Sequence, residues 1–172
     1  MEILDLMEHR FSVRAYKPDP VEDEKLRLIL EAAILAPTAA NRQPFRLILV
    51  QTKGRKDELR RIYDKDWFVQ APLVICACGV PEERWVGEDG MDYLGVDVAI
   101  VMDHLILAAA NAGLGTCWIG AFDKDAAREV LRIPDNIQPI VFSPLGYPAE
   151  TSGQKVRRSF EELILYEQWG QS

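Results

Sequence analysis

The sequence predicts an α+β fold in which a central sheet, mixed but mostly antiparallel, is covered by helices. Some segments carry apolar residues at helical spacing, and Asp92 to Ala112 is apolar on nearly every face. Others are short apolar runs rich in β-branched residues, such as Phe45 to Thr52. A helix that is apolar all round lies inside a protein or a membrane. Because Asp97, Asp103 and His104 are costly in lipid, we interpret this helix as a core helix and expect no membrane span.

Spacing and helix breakers set the remaining elements. Ile3, Leu6 and Met7 have helical spacing, and the second helix stops before Pro37. Asp123 caps a short helix that runs to about Leu131. The predicted helices cover residues 2–9, 22–36, 54–65, 92–112 and 123–131, and the predicted extended segments cover residues 10–16, 45–52, 72–80, 116–120 and 137–145.

Two segments lie outside this scheme. Residues 81–92 are acidic and contain glycine, which indicates a mobile flap that carries Trp85. Residues 160–169 are strongly apolar, although a terminal segment frays unless it is docked. This tail could pack on its own domain or add a strand to the sheet edge of a partner, and we favour the partner.

Length and charge bound the function. The chain has 172 residues, which predicts one domain over residues 1–172. A net charge of −7 argues against nucleic acid as a partner. Acidic residues near the start break the pattern of a signal peptide. Three cysteines within apolar runs indicate reduced thiols and a cytoplasmic protein, namely Cys76, Cys78 and Cys117.

Several kinds of catalytic site are missing from the sequence. There is no Gly-x-Ser-x-Gly elbow, His-Glu-x-x-His helix or Walker loop. His9 and His104 are far apart, so we expect no metal site. Gly113 and Gly115 do not open a dinucleotide fold, because they follow a helix and Trp118 occupies the third glycine position.

What remains is a set of alternating positive charges. In an extended segment, Arg10, Ser12 and Arg14 lie on one face. Lys155 and Arg157 alternate in the same way near the other terminus. Together these side chains could clamp a phosphate dianion, or they could be ordinary surface charges. The pattern leaves both interpretations open.

Three motifs, in order, resemble those of the nitroreductase family of FMN enzymes over nearly the whole chain. The segment from Arg10 to Tyr16 resembles the family's Arg-Arg-Ser-x-Arg opening. The segment from Ala36 to Phe45 resembles its Pro-Ser-x-x-Asn-x-Gln-Pro-Trp loop. The segment from Gly113 to Gly120 is similar to the stretch that meets the flavin ring near N5. Lys155 to Arg157 and the run after Glu161 match the family's C-terminal phosphate contacts and exchanged tail.

The resemblance implies a set of FMN-binding residues and no catalytic side chain, since the flavin carries the chemistry. One backbone N–H, of Ile119 or Gly120, is expected at N5. The opening motif departs from the family at Phe11, and the loop departs at Thr38 and Ala39. The implied contacts to the phosphate and ribityl chain are Arg10, Phe11, Ser12, Arg14, Lys155 and Arg157; those to the ring are Cys117, Trp118, Ile119 and Gly120 and, from the other subunit, Pro37, Thr38, Ala39, Asn41 and Gln43.

The resemblance also implies a homodimer with an exchanged C-terminal tail and the helix at residues 92–112 at its core. Its activity would carry electrons from NADH or NADPH through FMN to nitroaromatics, quinones or similar acceptors by a ping-pong mechanism. Two alternatives stay open: a specialised reduced-flavin enzyme, such as a dehalogenase, and a flavin-binding protein for storage or sensing. The short flap at residues 81–92 argues against an elaborate dedicated pocket.

Overall fold

The computed structural model describes residues 2–170 and has an α+β architecture. Two single-turn 3₁₀ segments, Ala39–Asn41 and Pro81–Glu83, accompany the longer elements. In chain order these elements are α1 Ile3–His9, α2 Asp23–Ile34, β1 Phe45–Gln51, α3 Lys56–Ile62, α4 Asp66–Gln70, β2 Leu73–Gly79, α5 Leu94–Asn111, β3 Gly115–Thr116, α6 Lys124–Leu131, β4 Gln138–Gly146 and α7 Phe160–Leu163.

The four strands form one sheet in the order β1-β2-β4-β3, and each neighbouring pair is antiparallel. Cys76 on β2 pairs with Ile48 on β1 and with Phe142 on β4, so β2 lies at the centre. The sequence predicted a mixed sheet, and its parallel pairing is a single bridge between Ser12 and Thr116. The predicted mostly antiparallel sheet is therefore confirmed.

Side chains alternate along β2 between two apolar cores, as the period of a strand requires. Ile75 and Ala77 pack with α2 and α5, whereas Val74 and Cys76 pack with α3, α4 and α6. All seven residues of β2 are buried. A sheet covered on both faces by helices explains why this strand is a continuous apolar run in the sequence.

Helix α5 packs one face against α2 and the sheet. Its length and composition would also suit a membrane span, but its buried face belongs to the core of the domain. The opposite face, which includes Val96 and Asp103, is exposed within one chain. A single chain therefore buries only one side of α5, whereas the sequence predicted a helix buried on all sides.

Three sequence predictions need correction. Residues 10–16 do not form a strand but touch the sheet through bridges at Ser12 and Tyr16. The Tyr16 ring turns inward, and its hydroxyl donates to the carbonyl of Val13 at 2.8 Å, which breaks the expected alternation. The strand predicted at 116–120 shrinks to β3 with one further bridge at Ile119, and α4 was not predicted at all.

The segment predicted as a mobile flap forms a short hairpin. The Trp85 and Tyr93 rings meet edge to face with their centres 5.0 Å apart. Val86 bridges Asp92, whose carboxylate lies 3.0 Å from the guanidinium of Arg84. An aromatic pair and an ion pair thus hold this hairpin at the start of α5.

Candidate functional site

Backbone hydrogen bonds hold the segment after α1 against the edge of the sheet. The amide of Val13 donates to the carbonyl of Thr116 at 2.9 Å, and the amide of Ala149 donates to the carbonyl of Ala15 at 2.8 Å. A β-carbon at Gly115 would lie 2.6 Å from Cγ2 of Val13, so the close approach requires glycine. Strand β3 therefore fixes the position of this basic segment.

Three cations converge at the C-terminal end of α1. Lys155 donates from Nζ to the backbone carbonyls of Glu8 and Arg10. Burial lowers the pKa of Lys155, and the like charges of Arg10 and Arg157 lower it further. A cavity of about 530 Å³ opens beside Lys155 and Arg157. We refer to Arg10, Lys155 and Arg157 as the cation cluster; it is suited to a multivalent anion.

Arg14 lies apart from the contacts of Lys155. Its guanidinium carbon is 6.0 Å from the centre of the Trp67 ring, and its amide donates to the carboxylate of Glu150. Phe11, at the position where the family has a second basic residue, packs into a small apolar cluster with Val13. The structure thus gives Arg14 contacts that the alternation did not predict. Glu150 and Trp67 were not found by sequence reasoning.

The segment from Cys117 to Gly120 leaves the sheet next to this basic segment. Burial raises the pKa of the Cys117 thiol, while Arg14 and Ser12 oppose that shift. The amide of Ile119 donates to the carbonyl of Phe142 at 2.9 Å, so it is not free for a ligand, contrary to one expected alternative. Within residues 2–170 the amide of Gly120 makes no hydrogen bond. Trp118 is 43% exposed beside it.

The loop at residues 37–43 is anchored to the N-terminal end of α5. The amide of Ala39 donates to Oδ1 of Asp97 at 2.8 Å, and the amide of Gln43 donates to Oγ1 of Thr38 at 3.0 Å. Ala40, Asn41 and Gln43 have φ values of 51°, 52° and 53°. Such left-handed backbone is strained in residues other than glycine and is frequent at functional sites.

Asp97 is the anchor that sequence reasoning missed. It is 1% exposed, and its Oδ2 atom has no hydrogen-bond partner within the described residues. A buried carboxylate is stable only when it is hydrogen-bonded, so its contact with Ala39 is a fixed part of the fold. The available signal was a carboxylate inside a mostly apolar helix, one of two in α5 together with Asp103.

Within one chain, the loop and the basic segment lie at opposite ends of α5. Asp97 holds the loop near the start of the helix, whereas Ala110, near its end, lines a small cavity together with Arg10 and Phe11. At about 1.5 Å of rise per residue, these two positions are about 20 Å apart. The structure therefore brings the first and third motifs together but not the second.

Comparison with known proteins shows which family has this fold and these motifs. The model of the nitroreductase family matches residues 7–67 and 63–147. The chain belongs to the nitroreductase family. The resemblance inferred from the three motifs is thereby confirmed, and so is the α+β fold of the nitroreductases.

Individual relatives are similar to this chain in sequence over most of their length. A solved nitroreductase family protein of Clostridium difficile 630 is 34% identical, with a TM-score of 0.88 over 98% of this chain and 99% of its own. The FMN reductase [NAD(P)H] of Bacillus subtilis is 31% identical and is matched over 90% of this chain and 69% of its own. The NADH dehydrogenase of Thermus thermophilus is 28% identical, over 91% and 92%.

Proposed function

We propose that this chain is an NAD(P)H-dependent oxidoreductase that holds FMN and reduces nitroaromatics, quinones or similar acceptors. The observation that carries the proposal is the cation cluster of Arg10, Lys155 and Arg157. In a protein of net charge −7, three mutually repelling cations at one place favour a bound dianion. The names of the relatives, FMN reductase and NADH dehydrogenase, belong to the same class of reaction.

The residues present fit FMN at both of its ends. The cation cluster supplies N–H donors for the phosphate, and charge-assisted bonds of this kind are the strong ones. At Gly120, the nearest atom to a β-carbon would be Nε1 of Trp118 at 3.7 Å, so a flat ring can approach the backbone. When bound, FMN supplies the hydride and electron chemistry between donor and acceptor.

The protein contributes binding, orientation and electrostatics. Arg10, Lys155 and Arg157 would hold the phosphate end, and Ser12 and Arg14 would contact the chain between phosphate and ring. The amide of Gly120 would donate to the ring edge, where a fixed dipole would stabilise developing negative charge. This assignment leaves Phe11 as an apolar support for the segment, since its ring packs into the cluster around Val13.

A homodimer completes the site in this proposal. Large apolar side chains of α1, α2 and the tail are exposed in one chain, among them Leu4 at 71%, Ile34 at 60% and Trp169 at 94%. Contiguous exposed apolar surface marks a protein interface. A partner packed along α5 would bring its own loop to the ring. That loop carries Pro37, Thr38, Ala39, Asn41 and Gln43.

The catalytic function is favoured over flavin storage or sensing because the matched relatives carry names of reductases and dehydrogenases. A dedicated dehalogenase-like pocket is less well supported, since residues 81–92 form only a hairpin. All three cysteines are free and buried, which suits a reducing cytoplasm.

The first test is spectroscopic. We expect the purified protein to be yellow, to release FMN on denaturation, and to lose its visible absorbance when NADH or NADPH is added without oxygen. The donor that bleaches the protein faster is the preferred one. FMN that stays oxidised with both donors would favour the binding role, and a protein that refuses added FMN would overturn the assignment of the site.

Donor and acceptor are expected to use the same site in turn. Gly120 marks the open edge of the site at which, in this proposal, both substrates react with the ring in turn. Initial rates measured at several fixed acceptor concentrations should therefore give parallel double-reciprocal lines. Intersecting lines would contradict the ping-pong mechanism while leaving the cofactor assignment intact.

A further inference from the structure

A cavity of about 400 Å³ borders Gly120, and no residue of the cation cluster lines it. Two cations of α6, Lys124 and Arg128, line it at a spacing of four residues, which places them on one helix face. Gln138 of β4 adds an amide, and Pro139 and Ile140 form an apolar wall. The lining contains no carboxylate, although acidic residues outnumber basic ones in the chain.

The two cations are held differently. Arg128 donates from Nη1 to the carbonyl of Pro134 at 2.8 Å, which fixes its guanidinium while leaving other donors unused. Lys124 has no ion-pair or hydrogen-bond partner within residues 2–170. The guanidinium of Arg128 is fixed in orientation, and the ammonium of Lys124 can adapt its position. Together with the apolar wall, they suit an aromatic ring that carries an anionic oxygen group.

The charge of Arg128 reaches the buried sheet beneath the cavity. Cys78 pairs with Pro139 in the strand register and lies below the apolar wall. A hydrogen bond from Cys76 lowers the pKa of the Cys78 thiol, burial opposes this, and the charge of Arg128 lowers it further. The cavity is thus a region of positive potential next to the proposed position of the ring edge.

We propose that Lys124 and Arg128 form a subsite for the anionic group of the electron acceptor, such as the carboxylate of an aromatic acid. The inference rests on the proposed function, because Gly120 marks the ring edge in that proposal. The same charges could instead attract a phosphate of the nucleotide donor. A cavity of about 400 Å³ that opens directly at Gly120 suits a small acceptor better than an extended dinucleotide.

The test compares two acceptors that differ in charge at one position. The FMN-loaded protein is assayed with 4-nitrobenzoate and with uncharged 4-nitrobenzamide, using one donor at a fixed concentration. In Lys124→Gln, kcat/KM for the nitrobenzoate should fall about tenfold, mainly through KM, as the loss of one charge-assisted bond implies. The value for the nitrobenzamide should change less than about twofold. Arg128→Gln should act in the same direction.

Lys53→Gln is the matched control, since Lys53 is an exposed cation in the turn after β1 and lines a different cavity. It should leave both acceptors unchanged. Equal losses for both acceptors, or no change in Lys124→Gln, would overturn the subsite. A change in the KM of NADPH or NADH, with nitrobenzoate unaffected, would also overturn it in favour of donor binding. Reduction of nitrobenzamide by the parent protein shows in each case that the proposed function stands.

Discussion

Removal of residues 160–172 is expected to give a protein that has lost most of its FMN and that melts at least about 10 °C lower. Within the described part of this tail, Phe160, Leu163, Tyr166 and Trp169 are exposed in a single chain by 61%, 56%, 70% and 94%. Each large apolar side chain that a partner buries contributes about 1.5–3 kcal/mol. Ordering the tail costs conformational entropy, but the free energy from even a few such contacts exceeds that cost. What remains is larger than the loss of stability that a shift of about 10 °C in melting temperature represents.

The same argument predicts which single side chain matters most. Trp169 is the most exposed large apolar residue of the tail, and buried tryptophans dominate the energetics of interfaces. Trp169→Ala should therefore shift the protein toward monomer in light scattering and reduce the FMN absorbance per chain. Gln168→Ala, one residue away and also exposed, is the control and should leave both unchanged. A truncated protein that stays folded with full FMN would contradict the exchanged tail.

The helices and strands were largely predictable because their apolar residues follow the periods of the two structures. The run from Leu73 to Gly79 shows the limit of that method, since a strand buried on both faces has no alternation. Helix α4 was missed because its five residues are too few to display a helical period. The alternation of residues 10–16 predicted a strand, yet the segment pairs with the sheet at only two points, Ser12 and Tyr16.

The candidate site was predictable as a set of motifs but not as an arrangement. Lys155 reaches the carbonyl of Arg10 across 145 positions of the chain, a contact that no local pattern contains. Asp97 was visible as one of two carboxylates in a mostly apolar helix, but its role depends on which amide it meets, and that amide is Ala39 of a distant loop. The amide of Ile119 was an expected donor to the flavin, but it donates to the carbonyl of Phe142 instead. The sequence could not show this, because hydrogen-bond partners within a sheet are set by the tertiary fold.

The effect of Lys155→Gln follows from the geometry of the cation cluster. The change removes one charge but keeps most of the side chain, so FMN should bind about 10- to 100-fold more weakly, as expected for one charge-assisted bond to phosphate. Riboflavin, which lacks the phosphate, should bind almost as it does to the parent protein. Fluorescence quenching of the flavin on titration with apoprotein measures both affinities, and Arg158→Gln serves as a neighbouring exposed control.

The pH dependence distinguishes the charge of Lys155 from its structural bonds. Burial and the like charges of Arg10 and Arg157 lower its pKa more than the carboxylate of Glu8 raises it, so the free protein loses this proton at a lower pH than an exposed lysine does. The protonated form binds phosphate; FMN affinity is therefore full below that pKa and falls as the pH rises through it. Lys155→Gln should lack this alkaline loss. Equal weakening of FMN and riboflavin, with the same pH profile in both proteins, would mean that Lys155 only secures the end of α1 through Glu8 and Arg10.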